Sequence, residues 1–231
     1  MSTTAADFWT TLPLGRGVQL ITQDAQGLAA FAKPAGVLSH PNTAADQPRS
    51  LLNARYALDG EYFEWSPGAG LPLRRLWLLN RLDSATSGVI LAAASEPLAR
   101  EVRAQFKRKQ VRKLYNALVF GRPKVARQVW HDRLMIDKRG GQVRTRGEGN
   151  IPCESLMSLL KRTEAEPFFS LIQLEPRTGR SHQLRVQCAM RHLPIVGDGT
   201  YGDFARNREY AKIYGAKRLF LHKAVELARK Y

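Results

Sequence analysis

Asn80-Arg81-Leu82-Asp83-Ser84-Ala85-Thr86-Ser87-Gly88 leads directly into Val89-Ile90-Leu91-Ala92-Ala93-Ala94, and Ser95-Glu96-Pro97 follows. An apolar run of that length, opened by glycine and closed by a Ser-Glu-Pro signal, predicts a buried strand. The turn before it carries a single carboxylate, Asp83, beside Arg81 and the hydroxyls of Ser84, Thr86 and Ser87. Polar groups on a turn that enters a buried strand are held by rigid surroundings, which suits chemistry. For Asp83 taken alone, the plainer reading is a turn residue bonded to its own backbone amides. Its company along the chain decides between the two.

Beyond the strand, Ser95 as a capping hydroxyl and Pro97 in the first turn predict a helix. Leu98, Val102 and Phe106 recur at four-residue steps as its buried face, and Arg100, Arg103, Lys107, Arg108 and Lys109 cover the remainder. Such a basic face serves either solubility or phosphate contact. Val111 to Phe120 then reads as a strand that stops at Gly121-Arg122-Pro123. Upstream, Val18 to Gln23 and Leu28 to Lys33 flank Asp24-Ala25-Gln26-Gly27 as a hairpin, and Lys33-Pro34-Ala35-Gly36 turns the chain away from it. Residues 1–17 read as an N-terminal arm that Phe8, Trp9 and Leu12 anchor. Ser50 to Leu58 reads as a short helix and Ser66 to Gly70 as a loop.

Downstream, Gln128 to Met135, Cys153 to Leu160 and Phe168 to Leu174 read as strands. Asp137 to Gly149 is a basic, glycine-rich stretch read as a loop. Arg177 to Arg185 is a turn leading into a helix that ends near Arg191. Pro194 to Asp198 forms a tight polar turn, and Arg218 to His222 and Ala224 to Leu227 read as two last strands. There is no internal repeat and no linker long enough to divide domains.

The chain has 231 residues, with 36 Lys and Arg against 20 Asp and Glu, a net charge of +16. That excess predicts a polyanionic partner, with nucleic acid the leading candidate. A membrane surface would call for a basic amphipathic helix or a lipidation signal, and neither is found. No run approaches the roughly 20 apolar residues that span a bilayer, and the N-terminus lacks a signal-peptide core. Cys153 and Cys188 are too few for a disulfide framework or a four-ligand zinc site, and with the dispersed histidines they give no metal-ligand spacing. A reducing, cytoplasmic compartment fits. Nothing calls for a protein partner, so a monomer is expected.

Several stretches together carry a resemblance. Lys33-Pro34-Ala35-Gly36-Val37, Arg81-Leu82-Asp83 with Thr86-Ser87-Gly88, Lys113 to Gly121, Thr178-Gly179-Arg180-Ser181-His182-Gln183-Leu184-Arg185, Pro194 to Asp198 with Tyr201-Gly202, and Leu221-His222 occur in the order found in RluA-type pseudouridine synthases. The similarity extends from about Val18 to Leu227. It implies an α+β fold: one catalytic domain with a mainly antiparallel, twisted sheet, flanking helices and a central cleft. That domain would cover residues 18–231, with no separate RNA-binding domain. The implied activity is isomerisation of specific uridines in rRNA or tRNA, without cofactor or metal.

By position, the resemblance makes Asp83 the catalytic aspartate, Tyr115 the active-site tyrosine and Arg185 the basic partner of the aspartate. Arg81, Thr86, Arg180, His182 and Gln183 become candidates for substrate contact, with a structural role weighed more heavily for His182 and Gln183. The family usually carries His where this chain has Asn80, a departure that bears on substrate.

The residue types fit the reaction. Breaking the N1 glycosidic bond builds positive charge on the ribose, which an ionised carboxylate stabilises or attacks. A guanidinium beside a buried carboxylate keeps it ionised. A tyrosine supplies a flat stacking face and a hydroxyl for proton transfer at C5. The uridine must first be flipped out of folded RNA, at a cost of a few kcal/mol that stacking and phosphate contacts offset. The basic helix face and the Lys138–Arg146 segment are the expected phosphate contacts. Two other readings remain open: a non-catalytic RNA-binding protein of the same fold, and a hydrolase of N-glycosidic bonds.

Overall fold

A computed structural model describes residues 5–139 and 142–227. The chain forms two compact units, the first running to Val111 and the second starting at Arg112.

The first unit opens with α1 (Ala5–Thr10), followed by β1 (Gln19–Gln23), β2 (Leu28–Lys33), a 3-10 turn (Ala44–Arg49), β3 (Arg55–Ala57), β4 (Tyr62–Trp65), β5 (Arg74–Leu78), β6 (Ser87–Ala93) and α2 (Glu96–Lys107). The expected anchoring of the arm is present: Trp9 is buried and the Phe8 ring meets Trp65 edge-on at 5.5 Å. β1 and β2 form the expected hairpin, whose turn closes because the Asp24 carboxylate accepts the N–H groups of Gln26 and Leu28, both at 2.9 Å. β2 runs antiparallel to β6 from Leu28 opposite Ala93 to Lys33 opposite Gly88. The antiparallel ladders β3–β4, β4–β5 and β5–β6 complete the order β3-β4-β5-β6-β2-β1.

As its unbroken apolar run predicts, β6 is buried at every position but Val89. The helix expected over Ser50–Leu58 is absent. Ser50 is buried with its hydroxyl bonded to the carbonyls of Gln47 and Leu52, and Arg55 and Tyr56 pair as a strand with Glu64 and Phe63. A partner strand outweighs local helix preference here.

α2 starts where Ser95 and Pro97 predict, but Ser95 makes no side-chain cap bond. The helix packs on β5 and β6, burying Ala99 and Val102, while Leu98 and Phe106 are only half-buried. Its basic face is less free than the sequence suggests. Arg103 turns back to donate to the Leu78 carbonyl at 3.0 and 2.6 Å and to the Glu61 carbonyl at 3.1 Å, and Arg100 pairs with Glu96 at 2.6 Å.

The second unit holds β7 (Val111–Phe120), whose first residue ends the first unit, then β8 (Arg127–Arg139), β9 (Gln142–Gly147), β10 (Ile151–Arg162), β11 (Phe169–Pro176), α3 (Gln183–Met190), α4 (Phe204–Tyr214) and β12 (Leu221–Leu227). Its strands lie in the order β12-β7-β11-β10-β8-β9, and the ladders from β7 to β9 are antiparallel. Trp130, Leu134, Met157, Ile172, Leu174 and Val196 supply its core. The stretch read as a loop over 137–149 instead extends β8 and pairs it with β9, Asp137 lying opposite Arg144. The Gly140-Gly141 part of that reading falls outside the described residues. One strand, β12, replaces the two expected over 218–227, and α4 was not foreseen. Antiparallel ladders with helices outside them make the fold α+β.

Candidate active site

The Asp83 turn is sewn to the segment that follows β2. Gly36 has a left-handed φ of 90°, which glycine adopts without steric cost, and its N–H donates to the Ser84 carbonyl at 2.8 Å. The Ser39 hydroxyl donates to the Leu82 carbonyl at 2.7 Å and accepts the Leu82 N–H at 2.8 Å. Thr86, itself buried, donates its N–H to the Asp83 carbonyl at 3.0 Å and closes the turn. The backbone on both sides of Asp83 is therefore fixed by partners distant in sequence, while the residue itself stays half-exposed.

Beneath the turn lies Lys33, only 1% exposed. Its ammonium donates to the carbonyls of Pro34 at 3.0 Å, Val37 at 2.6 Å and Ser84 at 3.1 Å. Burial pulls its pKa down to about 8, against the opposing pull of the Asp83 carboxylate. Lys33 is thus both a brace for the turn and a cation near the candidate nucleophile. Because its pKa is lower in the folded than in the unfolded chain, protons bind the unfolded chain better, and the group's stability contribution rises with pH between about 8 and 10.5.

Lys33→Met is expected to cost about 1–3 kcal/mol by leaving three carbonyls unsatisfied. The stability gap between wild type and mutant should widen in favour of wild type as pH rises over that window. Denaturant titrations at pH 7 and 10 check both; a cost below about 1 kcal/mol would contradict the brace, and a gap that narrows would contradict the lowered pKa.

In the second unit, Tyr115 sits half-exposed on β7, opposite Leu174 of β11. Lys113, two residues earlier, shares its face of the strand. β12, the neighbour of β7, carries Lys223, which burial and then the charge of Lys113 push down to about 7. Arg185 lies on α3 and is 6% exposed. Its guanidinium grips Asp198 in a two-pronged pair, Nε to Oδ2 at 2.8 Å and Nη2 to Oδ1 at 2.6 Å. Asp198, 1% exposed, also accepts the N–H groups of Thr200 at 2.9 Å and Tyr201 at 3.0 Å. Burial pushes this carboxyl up, but the Arg185 bonds and charge and the two amides outweigh it and hold the pKa below the usual range. The pair uses two of the five guanidinium donors.

A family model described as RNA pseudouridylate synthase matches residues 27–190. The chain belongs to that family, in its RluA branch. It is 32% identical over 216 residues to a tRNA pseudouridine synthase C from Yersinia pestis, covering 89% of this chain and 78% of the relative. It is 38% identical over 151 residues to a ribosomal large subunit pseudouridine synthase C from Vibrio parahaemolyticus, covering 65% of this chain and 46% of the relative. The chain thus spans about half the length of that ribosomal large subunit synthase. Among solved structures, human RNA pseudouridylate synthase domain containing 1 shares the fold, with a TM-score of 0.67 at 22% identity, over 91% of this chain and 78% of that one.

Within this synthase-family chain the remaining candidates divide between the two units. Arg81 is exposed, with His40 at 3.5 Å and Glu61 at 3.9 Å as long, weak partners. Asn80 is occupied by the sheet: its side-chain oxygen accepts the Leu91 N–H at 2.9 Å and its amide donates to the Val89 carbonyl at 3.4 Å. Arg180 is exposed, its Nε 3.4 Å from the Pro152 carbonyl.

Gln183 is buried and fully engaged. Its oxygen accepts from the Thr178 hydroxyl and the Arg180 N–H, and its amide donates to the Glu154 carbonyl and the Ser155 hydroxyl. His182 caps α3 in a left-handed conformation, φ 54°, with Nδ1 2.7 Å from the Tyr201 hydroxyl. Sequence reasoning did not single out Lys33, Asp198, Tyr201 or Lys223 as site residues. Each is defined by contacts distant in sequence. The one available signal was their position inside or beside the quoted motifs. Among the described residues, no group of three or more His, Cys, Asp or Glu side chains could hold a metal ion. No helix of the described residues is long and apolar enough to cross a membrane.

Proposed function

We propose that this chain isomerises uridine to pseudouridine in folded tRNA or rRNA, with Asp83, Tyr115 and Arg185 acting on one flipped uracil. The clamped Asp83 turn carries this reading: a half-exposed carboxylate whose flanking backbone is fixed from both sides is preorganised for charge that develops at the ribose. As the N1–C1′ bond breaks, Asp83 meets the positive C1′; the uracil turns, C5 bonds to C1′, the C5 proton leaves and N1 takes up a proton. Tyr115 offers its ring to the uracil and its hydroxyl to the proton at C5. Arg185, held by Asp198 within its own unit, has the role of the basic partner that keeps the aspartate ionised, as the resemblance implies. Arg81, exposed and weakly partnered, is suited to fill the gap left by the flipped base. This reading treats both units as one catalytic domain. Comparing pseudouridine maps of total RNA from cells with and without the gene tests it; maps that agree at every site would contradict it.

RNA affinity comes from exposed cations, and the β8–β9 hairpin presents Arg144 and Arg146 outward with Thr145 buried between them. Two phosphate contacts there contribute about −1.4 to −1.8 to the slope of log affinity against log salt. Replacing both arginines with Gln should flatten the slope by that amount and weaken binding. A slope equal to that of the wild type would mean that these side chains only solvate the hairpin.

A further inference from the structure

We propose that Tyr201 is a positioning residue that couples the β8–β9 hairpin to Arg185. The inference rests on the reading of Arg185 given above, and the contacts all lie within the second unit. The Tyr201 hydroxyl accepts the Thr145 N–H at 3.0 Å and lies 2.7 Å from His182 Nδ1. The Thr145 hydroxyl donates to the Ser181 carbonyl at 2.9 Å. One residue of β9 therefore holds both Tyr201 and the residue before the α3 cap.

The same ring faces the catalytic arginine. The Arg185 guanidinium carbon lies 4.9 Å from the Tyr201 ring centroid, a cation–π distance, while the Tyr201 N–H binds the Asp198 carboxylate that grips Arg185. Tyr201 packs on Leu134, Cys153 and Val186, so its ring cannot swing aside freely. His182 adds stored strain: a non-glycine residue with φ 54° is held there only by its surroundings, and Tyr201 supplies part of them.

Strand alternation makes this a link and not merely a contact. Thr145 is 2% exposed, while Arg144 and Arg146 on either side point to solvent. Farther along β9, Gly147 lies so close to α3 that a Cβ there would sit 2.8 Å from the Met190 sulfur. A phosphate backbone seated on the two arginines restrains β9, and through Thr145 and Tyr201 it restrains the guanidinium. The arginine is then held most firmly when RNA is bound.

The test measures single-turnover rate at saturating RNA, and RNA affinity, for Tyr201→Phe, Thr145→Val, Thr145→Ser and the Tyr201→Phe/Thr145→Val double mutant. Tyr201→Phe keeps the ring and loses the hydroxyl bonds, so the rate should fall about tenfold with affinity within about twofold. Thr145→Val should lose about threefold, and Thr145→Ser, which keeps the hydroxyl, should recover wild-type rate within about twofold. The two changes remove different bonds of one connected network, Tyr201→Phe those to the Thr145 N–H and His182 and Thr145→Val the one to the Ser181 carbonyl. Their losses should therefore be less than multiplicative, the double mutant being no slower than Tyr201→Phe by more than about twofold.

Single mutants with wild-type rates, losses that multiply in the double mutant, or effects carried by affinity alone would each overturn the coupling. If Tyr201→Phe does not fold, the contrast between Thr145→Val and Thr145→Ser decides the question, equal rates overturning the proposal. Asp83→Asn assayed alongside separates the two levels. An active Asp83→Asn would overturn the reading of the site itself. An inactive one with unimpaired Tyr201 and Thr145 variants would overturn only the link.

Discussion

Asp83→Asn should lower pseudouridine formation by about a thousand-fold or more, while RNA affinity and unfolding temperature stay close to wild type. The expectation follows from how the turn is held. The bonds from Lys33, Gly36, Ser39 and Thr86 reach backbone atoms of Leu82, Asp83 and Ser84, and asparagine retains all of these. The substitution preserves size and removes only the charge that opposes the developing cation at C1′. Rates are measured under single-turnover conditions, and folding by thermal melts. Turnover within about tenfold of the wild type would make Asp83 a structural turn residue, because losing a preorganised charge costs far more than that.

Arg185→Met should have two consequences that a second substitution can separate. Removing the guanidinium strands Asp198, a carboxylate 1% exposed, and breaking a buried pair in this way costs about 3–5 kcal/mol. The Asp198 pKa is depressed in the folded protein, so in the wild type the pair's stabilisation is present above the unfolded carboxyl pKa and is lost as pH falls through the folded one. In the single mutant the carboxylate loses its partner, and acid should relieve part of the defect by protonating it. Arg185→Met/Asp198→Asn removes the stranded charge and should recover much of the stability at neutral pH. On the proposed role of Arg185 as the basic partner of the catalytic carboxylate, activity should remain down by about a hundred-fold or more, because the guanidinium is still missing. A double mutant that regains both stability and turnover would assign Arg185 to the fold alone.

The parts of the chain legible in advance are those where pattern and packing agree. β6 is an apolar run buried almost throughout, the β1–β2 turn carries its own Asp24 bonds, and α3 begins where the Arg177–Arg185 turn predicts. The misread parts depend on distant partners or lack an apolar stripe. β3 is three residues long and exists because β4 pairs with it. β9 alternates Val143-Arg144-Thr145-Arg146, a period-2 pattern that neighbouring glycines and charges concealed. α4 buries no residue, so no periodicity announced it. Its end signals were nonetheless present: Asp203 accepts the N–H groups of Ala205 and Arg206, and Gly215 closes the helix in a left-handed conformation.

The candidate site shows the same division. Asp83, Tyr115 and Arg185 stood out through the motifs around them, whereas the pairing of Arg185 with Asp198 joins two motifs that nothing in the sequence links. Asp198 sits in a polar Gly-Asp-Gly turn and reads there as a turn residue until the fold brings the guanidinium to it.

The central claim, that the chain isomerises uridine within RNA, is tested most directly with RNA carrying tritium at C5 of uridine. After incubation, tritium released to water is counted, and the RNA is digested for nucleoside analysis. The account predicts tritium release in step with pseudouridine recovered from the intact chain, with no free uracil. Free uracil in solution would show hydrolysis of the N-glycosidic bond. RNA that is bound but yields neither tritium nor pseudouridine would show a binding protein without the chemistry.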